Sequence, residues 1–360
     1  MRKSLLMTAI ISLASGVAVA QHTASGVDVP EKAESAQFLK HLDVGVSLGS
    51  TGIGIDAALP INKTLQVRAG FDYMPRFTYN MNFGIQVGDD NDPEVQNSKF
   101  QKLSGMLKSF VGTEVDRDID MVGKPTMWNA KLLVDIKPFR NKHWHITGGF
   151  YWGPSKVAEA VNSVYDATSL VAVSMYNNLY ERVISSYLND EPFIMYNGHN
   201  YYLTPDQTKE LYDRFSSYGR MGVHIGDFKD GTPYMLEPDK NNTVEARIKV
   251  NSFKPYLGFG YGGALSKKND RYTVSFDCGL MFWGGTPQVL VHNYHLTEKD
   301  PTVTDQDPEN EYQWKASVPE TVDLAKDLDN VRGKVGTYTR LIKKFKAYPV
   351  LNFRIARKIF

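Results

Sequence analysis

The feature that most constrains this chain is a cleavable secretory leader followed by short segments in which apolar and polar residues alternate. Arg2 and Lys3 supply a positive n-region, Leu5 to Val17 an apolar core, and Ala18-Val19-Ala20 a small-residue cleavage site before Gln21. No later segment approaches the roughly 18–20 apolar residues that a membrane-crossing helix requires. An exported chain of this kind is either a soluble β protein or a barrel that crosses the membrane with strands. The alternation favours the second: an all-β, antiparallel transmembrane β-barrel.

Leu42, Val44, Val46 and Leu48 share one face, and Asp43, Gly45, Ser47 and Gly49 the other. After a Gly-Ser-Thr-Gly turn, Ile53, Ile55, Ala57 and Leu59 alternate with Gly54, Asp56 and Ala58. Leu65, Val67, Ala69, Phe71 and Tyr73 then oppose Gln66, Arg68, Gly70 and Asp72. The same period of two recurs over 128–137, 144–152, 257–262, 272–282 and 351–356, which makes eight strands.

The connections sort by length. Those near 60–63, 139–142 and 266–270 are short, whereas 75–125, 154–250 and 284–346 are long loops with room for helical insertions, and the first link, 49–52, is the exception. A chain that starts from the periplasm places the three short links on the periplasmic side, the arrangement of outer-membrane barrels. The domains expected are therefore a signal peptide at 1–20, a polar N-terminal segment at 21–40, and the barrel with its long extracellular loops at 41–360. Ten strands are the alternative, because 219–228 and 233–237 around Lys229-Asp-Gly-Thr read as a hairpin.

An eight-stranded barrel has an interior just wide enough for side chains. The polar face would place Asp43, Asp56, Arg68, Asp72, Lys131, Asp135, His145, Asp277 and Arg354 there, with glycines easing the curvature. Charges of both signs in a dry interior must pair, so the expected lumen is an ion-paired plug. Charge overall is balanced, 41 Lys+Arg against 40 Asp+Glu, which gives nucleic acid no electrostatic footing. The single Cys278 excludes an intramolecular disulfide framework.

Val44-Gly-Val-Ser-Leu-Gly-Ser-Thr-Gly-Ile-Gly-Ile, Arg68-Ala-Gly-Phe, Phe253-Lys-Pro-Tyr-Leu-Gly-Phe-Gly-Tyr-Gly, Ser275-Phe-Asp-Cys-Gly-Leu and Tyr348-Pro-Val-Leu, in that order, resemble small Gram-negative outer-membrane β-barrel proteins. The resemblance spans the strands, about a third of the chain. It implies a Gram-negative outer-membrane location, contact with outer-membrane lipid, and insertion by the barrel-assembly machinery. It implies no reaction. That family ends in an aromatic residue in phase with the lipid-facing side chains; Phe360 is aromatic but out of phase with Leu351, Phe353 and Ile355.

Any specific activity is expected in the long links. A helical stretch is expected between Ser155 and Leu188, and a second helix starts at Thr204, Pro205 and Gln207, a capping box, with Leu211 and Phe215 on its apolar face. Tyr176, Tyr180, Tyr187, Tyr196, Tyr201 and Tyr202 offer stacking area for a protein or glycan partner; a cap packed on the barrel mouth is the simpler use of the same residues. His143 and His145 share a face but lack a third ligand. The acidic runs Asp89, Asp90, Asp92, Glu94 and Asp305, Asp307, Glu309, Glu311 do not fit a calcium loop. Gly258-Phe-Gly-Tyr-Gly-Gly lacks the Lys-Ser/Thr of a phosphate loop, and no Gly-x-Ser-x-Gly or His-Glu-x-x-His motif occurs. The expectation is a non-enzymatic outer-membrane barrel, structural or partner-binding through its surface loops, without catalytic, cofactor or metal residues, with an accessory subunit of a larger outer-membrane assembly as one form of that role. A small porin or transporter, or an outer-membrane enzyme, is the alternative.

Overall fold

The computed structural model describes residues 42–359 except 89, 91, 232, 240, 267–268 and 294–319. The leader, the segment 21–40, Asp89, Phe360 and the run Asp305 to Glu311 lie outside the described residues. Strands and helices are numbered below in chain order.

Eight strands close into an antiparallel barrel: β1 (Asp43–Gly49), β2 (Gly52–Pro60), β3 (Leu65–Tyr73), β7 (Trp128–Ile136), β8 (Trp144–Trp152), β15 (Phe253–Ser266), β16 (Asn269–Phe282) and β20 (Ala347–Lys358). They pair in that order, and β20 returns to β1 with Val46 opposite Ile355. These are the eight strands read from the alternation. The hairpin considered for a ten-stranded barrel pairs elsewhere.

The phase of the alternation also holds. Val46, Leu48, Ile53, Ile55, Phe259, Phe353 and Ile355 face outward and are exposed, while Ser47, Asp56, Asp72, Asn129, Asp277 and Arg354 face inward and are buried. Aromatic residues ring the outer face at both ends. Phe71, Tyr73, Trp128, Trp152 and Phe253 form one girdle, with Phe71 stacked on Trp128 at 5.6 Å; Trp144, Tyr261 and Tyr272 stand at the other. The nine residues from Trp144 to Trp152 connect the two girdles along β8, the length a tilted strand needs to cross a hydrocarbon core. Gly52, at φ +102°, closes the tight β1–β2 turn against the Tyr73 carbonyl, where a Cβ has no room.

The three long connections leave the barrel at one end and fold together into a cap. Their strands β4 (Tyr79–Gly84), β6 (Asp118–Pro125), β9 (Lys156–Asn162), β14 (Glu245–Lys249), β17 (Gln288–Asn293) and β18 (Glu320–Asp323) form a sheet in the order β18-β17-β14-β9-β6-β4. A smaller sheet joins β12 (Met221–Phe228) to β13 (Pro233–Leu236) and β19 (Leu328–Asp329), and β5 (Gln86–Val87) pairs with β12. The remaining hairpin is β10 (Ile194–Tyr196) with β11 (His199–Tyr201). Helices α1 (Pro93–Val111), α2 (Ala167–Leu188), α3 (Pro205–Tyr218) and α4 (Gly333–Lys344) pack among them.

Two expectations change. The long links carry a second sheet as well as helices. The stretch from Ser155 begins as a strand, β9, because Val122, Gly123 and Lys124 pair with it on one side and Glu245 to Lys249 on the other; the helix starts only at Ala167. The second helix forms as expected: Thr204 Oγ1 accepts from the Gln207 amide, and Gln207 Oε1 accepts from the Thr204 amide at 3.1 Å.

Candidate functional site

The inward face of the barrel carries two ionic clusters. In one, Arg68 Nη2 donates to Asp135 Oδ1 at 2.7 Å and Nη1 to Asp277 Oδ2 at 3.1 Å. Thr147 donates to Asp135 at 2.8 Å, and His145 Nε2 lies 2.7 Å from Asp277 Oδ1. In the other, Lys131 donates to Asp72 at 2.6 Å and lies 3.8 Å from Asp56, while Arg354 Nε donates to Asp56 at 2.7 Å and Thr51 to Asp72 at 2.9 Å. Every one of these side chains is buried. Eight of the nine lumen residues read from the sequence are joined here; Asp43 stands half-buried at the start of β1.

Lumen glycines make room for the charges. A Cβ at Gly45 would meet the Arg354 guanidinium, and one at Gly260 would meet the His145 ring and the Asp277 carboxylate. Their use is space, where the sequence suggested curvature. Toward the cap, Leu133, Tyr151, Tyr256, Met281 and Val350 form an apolar layer with Met127, Val157 and Val250, and Tyr151 meets Tyr256 edge-on at 5.4 Å. Lys254 was missed by the sequence reading, which began this strand at Leu257. It is fully buried, donating to Asn129 Oδ1 at 3.1 Å and to the carbonyls of Ser252 and Pro154. Carrying the alternation back from Gly258 and Tyr256 would have found it.

The cap divides the expected tyrosine surface in two. Tyr176 is buried: its hydroxyl donates to the Gly219 carbonyl at 2.8 Å, its ring stacks on Phe215, and burial pushes its pKa up. Tyr180 packs beside it under Arg220. These two are core. Tyr187 stacks on Tyr212 at 4.0 Å. Tyr196 and Tyr201 remain exposed, at 66% and 52%, on the β10–β11 hairpin, with exposed Tyr202 following. The turn is Asn197-Gly198, both at positive φ (49° and 75°), the dipeptide that a two-residue hairpin turn selects. Because Ile194 faces Tyr201 and Tyr196 faces His199, all four side chains share one face.

Arg220 ties the cap together. Its Nε and Nη2 donate to the two carboxylate oxygens of Glu237 at 2.5 and 2.6 Å, and Nη1 pairs with Glu181 of α2. Burial disfavours its charge, but the bonds and charge of Glu237 outweigh burial and hold its pKa above the usual value. Asp166 is the opposite case. Burial raises its pKa, partly opposed by the Asp120 amide that donates to it at 2.9 Å, and Asp120 and Asp116 add repulsion. A raised folded-state pKa means stability that is full below the unfolded value and lost as pH rises through the folded one. Asp166→Asn is therefore expected to stabilise the cap at pH 7. That gain should shrink as pH falls toward 4, read by thermal melts at the two pH values.

The other motifs are absorbed by the fold. His143 Nδ1 lies 2.9 Å from the Gly262 carbonyl, apart from the partner of His145. Asp92 caps α1, accepting from the Glu94 amide, and Asp90 accepts from the Asp92 amide. Gly258 to Gly263 lie within β15. Cys278 is free and half-buried, in the outward row between Phe259 and Leu351.

A closed eight-strand barrel, apolar outside and charged within, defines this chain as an outer-membrane-type β-barrel protein carrying a folded cap, the fold implied by its resemblance to small Gram-negative barrels. No protein-family model and no curated protein sequence matches it. Among solved structures it is similar to Acinetobacter baumannii CarO2, with 13% identity over 88% of this chain and 98% of that one and a TM-score of 0.34. It is similar also to Acinetobacter baumannii CarO, with 12% identity over 88% and 96% and a TM-score of 0.32. At such scores the fold assignment rests on strand order and register alone.

Proposed function

We propose that this is a non-enzymatic protein of the Gram-negative outer membrane, released from its leader after Ala20, whose barrel is a closed anchor and whose cap faces outward. The cap recognises a partner protein, as an accessory subunit of a larger outer-membrane assembly. The observation that carries this reading is the β10–β11 hairpin, which holds Ile194, Tyr196, His199 and Tyr201 on one exposed face. Rigid aromatic side chains give large contact area at small entropic cost, which is why they dominate interface energetics. The ionic clusters and the apolar layer above them weigh against a porin. They also shut the His145–Asp277 pair away from any substrate, which weighs against an enzyme.

The test is the mass and composition of the native protein after mild-detergent extraction, beside a Tyr196→Ala/Tyr201→Ala variant. The expected result is a stoichiometric protein partner with the native chain, and at least a tenfold loss of it with the variant at unchanged barrel stability. A lone barrel-sized particle from native membranes would sink the subunit reading, and retention of polysaccharide instead of protein would replace it with glycan recognition.

A further inference from the structure

The cap sheet has one row of unusually small side chains. Gly123, Ala160 and Ala246 lie opposite one another on β6, β9 and β14, flanked by Tyr79 on β4 and Val291 on β17. The next row holds Pro125, Ala158, Ile248 and Val289. Helix α4 and strand β12 pack across from these rows, and the small residues leave the space between unfilled. The result is a cavity of about 370 Å³, within the size range of small-molecule sites. Its walls are apolar; Lys124 and Glu159 border it, but they lie between the two rows, so alternation turns their side chains to the other face of the sheet.

The cavity is buried at one end and exposed at the other. Met121, Leu170, Val173, Ile225 and Leu324 line the buried end. Phe77 and Tyr79, exposed at 60% and 58%, stand with Lys124 and Tyr338 at the open end. That end adjoins the barrel rim through the chain itself. Phe77 follows the last residue of β3 by four positions, and Lys124 precedes Trp128 of β7 by four. Four residues span about 14 Å at most. Both strands end in the aromatic girdle that marks the membrane interface. The mouth therefore opens beside the lipid surface, with exposed aromatics continuing the girdle into it.

We propose that this cavity takes the acyl chain of an outer-leaflet lipid. Its walls offer dispersion contact along the chain, and a lipid's polar head would remain outside the exposed mouth. An alkyl chain needs no polar partner there, and in entering from the bilayer it exchanges one apolar surrounding for another. The site lies outside the hairpin face and does not depend on a protein partner.

The experiment uses the full protein in nanodiscs of phosphatidylethanolamine containing a trace of phospholipid with a diazirine at its acyl terminus. After irradiation, crosslinked peptides are mapped by mass spectrometry. The expected result is labelling of cap peptides from β6, β9 or α4 in addition to the outward face of the barrel. Ala160→Trp, which fills the floor, and Phe77→Asp, which makes the exposed mouth polar without touching the core, should each lower cap labelling at least fivefold. Barrel labelling should stay constant and serves as the folding control. Labelling confined to the barrel, or cap labelling unchanged in both variants, would overturn the site. Cap labelling by a diazirine fatty acid added from water, but not by the membrane-borne lipid, would overturn the source.

Discussion

Arg68→Ala is expected to destabilise the barrel by about 3–5 kcal/mol, the largest loss available from one lumen residue. Arg68 holds both Asp135 and Asp277, each buried. Its removal leaves two carboxylates facing each other's field, with Thr147 and His145 as their remaining hydrogen-bond partners. The cost comes mainly from stranding charges, so it should be recoverable without restoring any ion pair. Arg68→Met combined with Asp135→Asn and Asp277→Asn should return most of the lost stability, because a neutral, filled interior no longer carries the desolvation penalty. Urea unfolding of the detergent-solubilised protein, followed by the change in gel mobility between folded and unfolded barrels, gives both numbers. A loss below about 1 kcal/mol, the range of solvated ion pairs, would mean that water reaches the cluster. The lumen would then be wet, and single-channel conductance would become the next measurement, since the small-porin reading depends on that water.

The barrel was legible because lipid on one side and a charged interior on the other force every strand to alternate. Val44, Val46 and Leu48 against Gly45 and Ser47 leave no second phase. Even the lumen pairing could be anticipated, since Arg68, Asp135 and Asp277 had to find opposite charge once enclosed. The cap sheet was hidden for the converse reason. Its strands come from three separate excursions and pair across the barrel strands between them, 39 residues apart for Lys249 with Gln288 and 37 for Gly123 with Ala160. Ala158-Glu159-Ala160 and Gly123-Lys124-Pro125 carry little strand preference, and the small residues that blur the signal are those that leave the cavity. One feature had a usable signal that went unread. Asn197-Gly198 marks the hairpin. In α2, the helical spacing of Val173, Tyr176, Tyr180 and Val183 was read, and it puts them on one face, which is the packed-cap use of those tyrosines.

In the cap, the corresponding prediction is Arg220→Ala, expected to cost about 3–5 kcal/mol and to do so locally. The guanidinium is the junction of three segments: α2 through Glu181, the start of β12 through its own backbone, and the chain after β13 through Glu237. Glu237 is buried, so losing its bidentate partner leaves a charge that must either take a proton or draw in water. Arg220→Lys keeps the charge but not the two-pronged bond to one carboxylate, and should fall between the variant and the native protein. The barrel is held by its own hydrogen-bonded register and lumen clusters, which Arg220 does not touch. Limited proteolysis should therefore cut the Arg220→Ala cap at least tenfold faster between α2 and β13 while the barrel keeps its folded gel mobility. Arg220→Met with Glu237→Gln should restore much of the resistance by removing the stranded charge. Equal loss of cap and barrel in Arg220→Ala would instead make the two a single cooperative unit, and an unchanged cleavage rate would show that Glu237 finds another partner.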